Sequence, residues 1–255
     1  MTILNAIILG IVEGITEFLP VSSTGHLILT ANILKIQGTE FIKSFEIAIQ
    51  VGAILSVVLL YWKSLVFNFE ILKRVLTAFI PTAVIGFVLY KLVKSLLLGN
   101  DKIVLFSLFF GGIFLIIFEL LHYEKETAIE NISDISYKNA FLIGIFQSLA
   151  IIPGISRAAA TIVGGLILGL KRKTIVEFSF LLAIPTMLAA SGFDLLKSAN
   201  AFSWDQLIFL ITGFLTSFIV ALVSVQFLLY FIKKHNFILF GFYRIILAIV
   251  FWFFC

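Results

Sequence analysis

The chain has 255 residues, 61% of them hydrophobic and 13% charged, with a net charge of +4 and a mean hydropathy of +1.17. Soluble domains run at about 45–50% apolar and about 25% charged, so the composition is that of a membrane protein in one compact domain spanning 1–255. The modest positive charge is spread over loops rather than along an Arg-rich face, which removes nucleic acid from the expected partners and gives the lysines a topological role.

The first apolar segment carries Glu13 and Glu17 and runs straight into Pro20-Val21-Ser22-Ser23-Thr24-Gly25-His26. An ionised carboxylate in hydrocarbon costs at least ~2.5–3.5 kcal/mol. Two at i and i+4 share one helical face and repel each other unless something neutralises them. Such a pair points to cation binding or proton movement. Pro20 and the residues up to Gly25 interrupt the apolar run, which resumes through Leu34. Two half-length helices around a polar turn make a re-entrant hairpin, since backbone groups freed in a membrane need protein or water to satisfy them. Spanning helices are expected at 45–62, 76–94 and 103–121. A loop at 122–138 follows, with Glu119, Glu124, Glu126, Glu130 and Asp134 read as its solvated acids. A second interrupted run, Phe141 to Leu170, is broken by Pro153-Gly154-Ile155-Ser156-Arg157. Further spans are expected at 174–195, 204–230 and 238–255, with Glu177 pairing to the basic turn Lys171-Arg172-Lys173. The lone cysteine, Cys255, allows no internal disulfide.

The second half repeats the first. Asn5-Ala6-Ile7-Ile8-Leu9-Gly10 aligns with Asn139-Ala140-Phe141-Leu142-Ile143-Gly144, Glu13 with Gln147, Phe45–Gly52 with Phe178–Pro185, and Thr77 with Thr212. The repeats cover about 1–125 and 135–255. Three spans per copy give the copies opposite orientations. The fold expected is therefore an all-α integral membrane protein with an inverted-topology repeat, each half a re-entrant helical hairpin plus three transmembrane helices. Basic residues in the 63–75 loop, the 122–138 loop, at 171–173 and at Lys233-Lys234 would lie on the cytoplasmic side. The two hairpin tips then meet near the midplane, where inverted-repeat proteins place their sites.

One tip offers Glu13, Glu17, Ser22, Ser23, Thr24 and His26; the other offers Gln147, Ser156, Arg157 and Thr161. A guanidinium in mid-membrane needs an anion, and its fork suits phosphate. The plainer reading of Arg157 is an ion pair with Glu13 or Glu17, and both readings hold in an empty site. Glu13 and Glu17 suit a hard divalent cation, Mg2+ or Ca2+, with Gln147 adding a neutral oxygen. His26 can serve as base, acid or nucleophile. Ser22, Ser23 and Thr24 can cap a half-helix, and a capped helix N-terminus is itself an anion site.

Taken together, EGITEFLPVSSTGH at 13–26 and PGISRAAAT at 153–161 resemble the motifs of the bacterial undecaprenyl pyrophosphate phosphatase family, often called bacitracin resistance proteins. IPTAVIG at 80–86 and EFSFLLAIP at 177–185 support the resemblance, which covers nearly the whole chain. It implies removal of the terminal phosphate from a polyprenyl pyrophosphate, which recycles the lipid carrier for cell-wall synthesis and gives bacitracin resistance. It implies a multi-pass protein of the bacterial inner membrane with its site open to the outer face. Carried over by motif, Glu13 and Glu17 are the metal-linked carboxylates. Ser23, Thr24 and His26 surround the scissile phosphate, with Ser22 beside them, and Ser156 with Arg157 binds it. Ala158 and Ala159 depart from the family's usual serine and glycine, so one hydroxyl is missing from that tip. The expected partners are the lipid substrate and membrane lipids, with a second copy of the chain as a candidate homodimer partner. The nucleophile stays open among Ser23, His26 and water. The rival reading is an ion-coupled or lipid-phosphate transporter that uses the same tips without a nucleophile.

Overall fold

A computed structural model describes residues 1–36, 38–96, 101–198 and 206–253. Cys255 lies outside the described residues, as do parts of the expected 204–230 and 238–255 spans. Ten α-helices are described, in the order α1 (Ile3–Thr16), α2 (Ser23–Ile33), α3 (Glu40–Phe67), α4 (Phe69–Leu96), α5 (Asp101–Leu121), α6 (Tyr137–Ser148), α7 (Arg157–Ile167), α8 (Arg172–Ser198), α9 (Leu207–Phe231) and α10 (Ile238–Trp252). Five of them hold segments long and apolar enough to cross a membrane: Phe41–Phe67, Phe69–Leu89, Asp101–Leu121, Arg172–Gly192 and Leu207–Phe231. The chain is an all-helical, multi-pass membrane protein. The sixth expected span is α10, whose 15 residues reach about 22 Å at ~1.5 Å per residue, short of the ~30 Å hydrocarbon core.

Both interrupted runs form pairs of short helices. The chain turns at 17–22 between α1 and α2, and through a 3-10 turn (Leu149–Ile151) and an irregular stretch between α6 and α7. Caps explain the restarts. The Ser22 hydroxyl accepts from the Gly25 amide at 3.4 Å, and the Ser156 hydroxyl accepts from the Ala159 amide at 3.2 Å. These two serines fall at equivalent positions in the register that pairs Asn5 with Asn139. So do Thr2 and Ser136, which cap α1 and α6 through the amides of Asn5 and Asn139.

Small residues bring the helices together. Helix α1 packs on α9 and α6 packs on α4. A Cβ on Gly10 would lie 2.7 Å from the Gly213 carbonyl oxygen, and one on Gly14 would lie 2.7 Å from that of Ser217. A Cβ on Gly144 would collide with the Ala78 carbonyl and with the Pro81 ring. Lipid gives apolar helices no hydrophobic reason to associate, so close backbone approach of this kind supplies the packing energy. Elsewhere α3 packs on α8 and α9, and α5 on α10.

At one end of the bundle, the connection after α5 docks on the basic turn. Ile129 exchanges backbone hydrogen bonds with Gly169 and Lys171, each at 2.9 Å, and Lys171 pairs with Glu130. Glu119 is not one of the solvated acids. Its carboxylate is buried, pairs with Arg172 at 2.7 Å and accepts the Phe237 amide at 3.2 Å. The cause is its position on the inner face of α5, where burial demands a counterion. Glu177 lies 3.9 Å from Lys173, at the basic turn where the sequence placed it.

Gly144→Val should therefore lower stability by about 1–3 kcal/mol through overpacking, read as a lower unfolding midpoint in detergent. Gly86→Ala, where a Cβ meets nothing within 4 Å, should leave the midpoint unchanged or raise it.

Candidate active site

The turns of the two short-helix pairs face each other across a pocket of about 260 Å3. Glu17, Ser22, Ser23 and Thr24 line it from one side, Ser156 and Arg157 from the other, and Gln50 of α3 adds an amide. Six residues expected from the sequence are thus brought together, and Gln50 is an addition. Nothing in the apolar stretch around Gln50 marks it except polarity within a span.

Glu17 organises the pocket. Its Oε2 accepts a hydrogen bond from the Ser23 hydroxyl at 2.5 Å, and its Oε1 accepts from Arg157 Nη2 at 3.2 Å. Arg157 also donates from Nη1 to the Ser179 carbonyl at 3.0 Å. Of the two carboxylates open to it, Arg157 takes Glu17. Both side chains are largely buried, so the ion pair is held in a medium that screens it poorly. The pocket also receives the N-termini of α2 and α7. Their amides and positive dipole ends favour an anion. Ser156 additionally reaches the Leu19 carbonyl of the opposite turn at 3.4 Å.

Ser22 is held at φ 72°, ψ 94°, an uncommon region for a residue with a side chain and one that costs on the order of 1–3 kcal/mol. Its carbonyl accepts both the His26 amide at 3.2 Å and His26 Nδ1–H at 2.7 Å. A carbonyl can only accept, so the proton sits on Nδ1. Nε2 of the same ring meets the Tyr243 hydroxyl at 2.7 Å, and the two rings stack with centroids 5.5 Å apart. With both nitrogens engaged, His26 lies behind the turn rather than in the pocket wall.

Three further expected residues also sit outside the wall. Glu13 is fully buried, and neither carboxylate oxygen has a hydrogen-bond partner. Gln147 uses Nε2 to bridge the hydroxyls of Thr82 and Thr186, each at 3.0 Å, because its place on α6 faces α4 and α8. Thr161 is fully buried one turn into α7. Its hydroxyl bonds back to the Arg157 carbonyl at 3.0 Å and meets the Ser179 hydroxyl at 2.6 Å. It braces the helix turn that carries Arg157. Sequence reasoning passed over Tyr243 and Arg244 of α10. Arg244 is 1% exposed, and a lone Arg inside an apolar run carries the same signal that singled out Arg157.

A carboxylate, a hydroxyl and a guanidinium meeting between two helix N-termini define a helical membrane protein with a polar pocket suited to an anionic headgroup. The chain belongs to the family described as bacitracin resistance protein BacA, which it matches over residues 6–250. It is 55% identical over 251 residues to an undecaprenyl-diphosphatase of Aquifex aeolicus, covering 98% of each chain. It is 56% identical over 252 residues to one of Sulfurihydrogenibium sp., covering 99% of each. A Bdellovibrio bacteriovorus relative of the same name is 43% identical over 250 residues, covering 98% of this chain and 95% of that protein.

Thr161→Val should cost about 1–3 kcal/mol of stability in detergent, because it removes the partner of the buried Ser179 hydroxyl. Thr161→Ser, which keeps that bridge, should stay close to wild type.

Proposed function

We propose that the chain removes the terminal phosphate of undecaprenyl pyrophosphate, releasing the monophosphate carrier, and that the reaction takes place in the pocket between the two turns. The family and the names of relatives sharing about half of its residues support the activity. The observation that carries the site is the Ser23 hydroxyl donating at 2.5 Å to a carboxylate whose other oxygen is held by Arg157.

The prenyl tail stays among the apolar helices while the headgroup enters the pocket. Arg157 turns from Glu17 to the terminal phosphate, whose charge its fork matches. The amides at the starts of α2 and α7 neutralise the rest. Glu17, released from its ion pair, still holds the Ser23 hydroxyl. The Ser23 oxygen attacks the terminal phosphorus and its proton passes to Glu17. The bond from phosphorus to the bridging oxygen breaks, and undecaprenyl monophosphate leaves. Water then attacks the phosphoserine phosphorus, the bond to the Ser23 oxygen breaks, Glu17 returns its proton to that oxygen, and the water's own proton leaves on the released phosphate. Positioning and electrostatics supply most of the rate in such transfers. His26 acts through the turn, fixing the Ser22 backbone beside Ser23.

A divalent cation, Mg2+ or Ca2+, fits the carboxylates. Glu13 has two unpartnered buried oxygens and lies one helical turn from Glu17. Among the described residues no cluster of three His, Cys, Asp or Glu forms a complete site. Phosphate oxygens and water would complete the shell, as Mg2+ prefers. When bound, the cation supplies charge neutralisation at the phosphates.

The same reading extends to topology. The two halves are inverted copies in one membrane domain, each with a re-entrant hairpin. Support comes from the equivalent caps Ser22 and Ser156 and from the matching close approaches of Gly10 to Gly213 and Gly144 to Ala78. The basic 63–75, 122–138, 171–173 and 233–234 segments are cytoplasmic on this reading, and the pocket opens to the outer side of the bacterial inner membrane, as the family resemblance implies. The transporter alternative is not favoured: a carboxylate-bonded hydroxyl is a nucleophile with its base, which transport does not require.

Purified protein in detergent should release phosphate from undecaprenyl pyrophosphate, and a chelator should suppress the release. Ser23→Ala, Glu17→Gln and Arg157→Ala should each lower kcat by ~10²–10⁴ while unfolding cooperatively. Wild-type rates in all three folded variants would move the reaction elsewhere.

A further inference from the structure

We propose that Arg244 is the clamp that keeps the two turns in register during the reaction, a positioning residue that itself touches no phosphate. The inference rests on placing the reaction between those turns. Arg244 lies on α10, far from both motifs in sequence, and is buried to 1% exposure. Its Nη1 donates to the Pro20 carbonyl of the first turn at 3.4 Å. Its Nη2 donates to the Gly154 carbonyl of the second turn and to the Ser107 carbonyl of α5, each at 3.0 Å. One rigid planar group thus ties both turns to a spanning helix. Among the described residues its hydrogen-bond partners are these three backbone carbonyls, and its Nε is buried without a partner.

Two details show that the surroundings are shaped for this guanidinium. Gly111 of α5 lies against it: a Cβ there would sit 2.9 Å from Arg244 Cζ and collide with Nη2. Gly154 adopts φ 93°, a conformation that glycine tolerates, and so presents its carbonyl to Arg244. The neighbouring Tyr243 holds His26. Helix α10 therefore frames the turns from behind.

The need for a clamp follows from the reaction. In the resting pocket the strongest tie between the turns is the Arg157–Glu17 ion pair. That tie is released when Arg157 engages phosphate. The hydrogen bond then left directly between the turns, among the described residues, is Ser156 to Leu19 at 3.4 Å; Arg244 reaches the first turn at the same distance and adds the ties to Gly154 and Ser107. Arg244 is bonded to both turns and has no part in holding the phosphate, so its tie persists while Ser23 attacks. A displacement near 1 Å between nucleophile and phosphate costs on the order of 100-fold in rate.

The test uses Arg244→Lys, which keeps the charge but cannot span three carbonyls, and Gly111→Ala, which displaces the guanidinium without altering it. Each is measured for phosphate release and, separately, for the spacing of spin labels at Thr24→Cys and Ile152→Cys in a Cys255→Ser background. We expect a narrow label distance in the parent that broadens in both variants. With it, kcat should fall on the order of 10- to 100-fold while KM stays within about twofold, with cooperative unfolding retained. Unchanged label distances together with unchanged kcat in both folded variants overturn the clamp. A loss confined to KM also overturns it, since that places Arg244 on the substrate. No phosphate release by the parent, with the label distance still broadening in both variants, overturns the phosphatase reading and keeps the clamp.

Discussion

The ion pair between Glu17 and Arg157 is the contact on which the rest of the site depends. It joins residues 140 positions apart, as Oε1 and Nη2 at 3.2 Å. Neither charge is tolerable alone in this environment, where removing one partner of a buried pair costs about 3–5 kcal/mol. Each charge therefore obliges the chain to bring the two turns together. On the proposed mechanism, Arg157 exchanges Glu17 for phosphate and Glu17 takes the Ser23 proton.

The scaffold serves that meeting by backbone proximity rather than by bulk. Gly10 and Gly14 let α1 lie against α9, and Gly144 lets α6 lie against α4. Hydroxyls then fasten what the glycines bring close: Thr82 donates to the Gly144 carbonyl at 2.8 Å, and Gln147 bonds to Thr82 in turn. Polar groups that resemble catalytic ligands in the sequence are thus partly fasteners. Gln147 and Thr161 belong to this set, and His26 fastens the strained Ser22 backbone.

What the sequence made legible follows from the cost of charge in hydrocarbon. Glu13, Glu17 and Arg157 stood out because each is expensive where it lies, and Pro20, Gly25, Pro153 and Gly154 located the turns. The pocket wall of Glu17, Ser22, Ser23, Thr24, Ser156 and Arg157 was readable on those grounds. Side-chain direction was not. Whether Thr161 turns toward the pocket or back onto its own helix depends on Ser179, 18 residues away. Glu119 looked like a loop acid because it stands near the end of an apolar run, while its partners Arg172 and Phe237 come from two other parts of the chain. Arg244 carried a visible signal, as a lone Arg in an apolar run, but neither it nor Tyr243 belongs to a local motif. Their partners are Pro20, Ser107, Gly154 and His26, which only the fold assembles around α10.

The most direct test is an experimental structure of the protein with a non-hydrolysable prenyl pyrophosphate analogue bound. The terminal phosphorus should lie roughly 3–3.5 Å from Ser23 Oγ, with Arg157 moved from Glu17 onto the phosphate and the prenyl chain leaving between helices. A headgroup bound outside the wall of Glu17, Ser23 and Arg157, with that ion pair intact, would contradict the account.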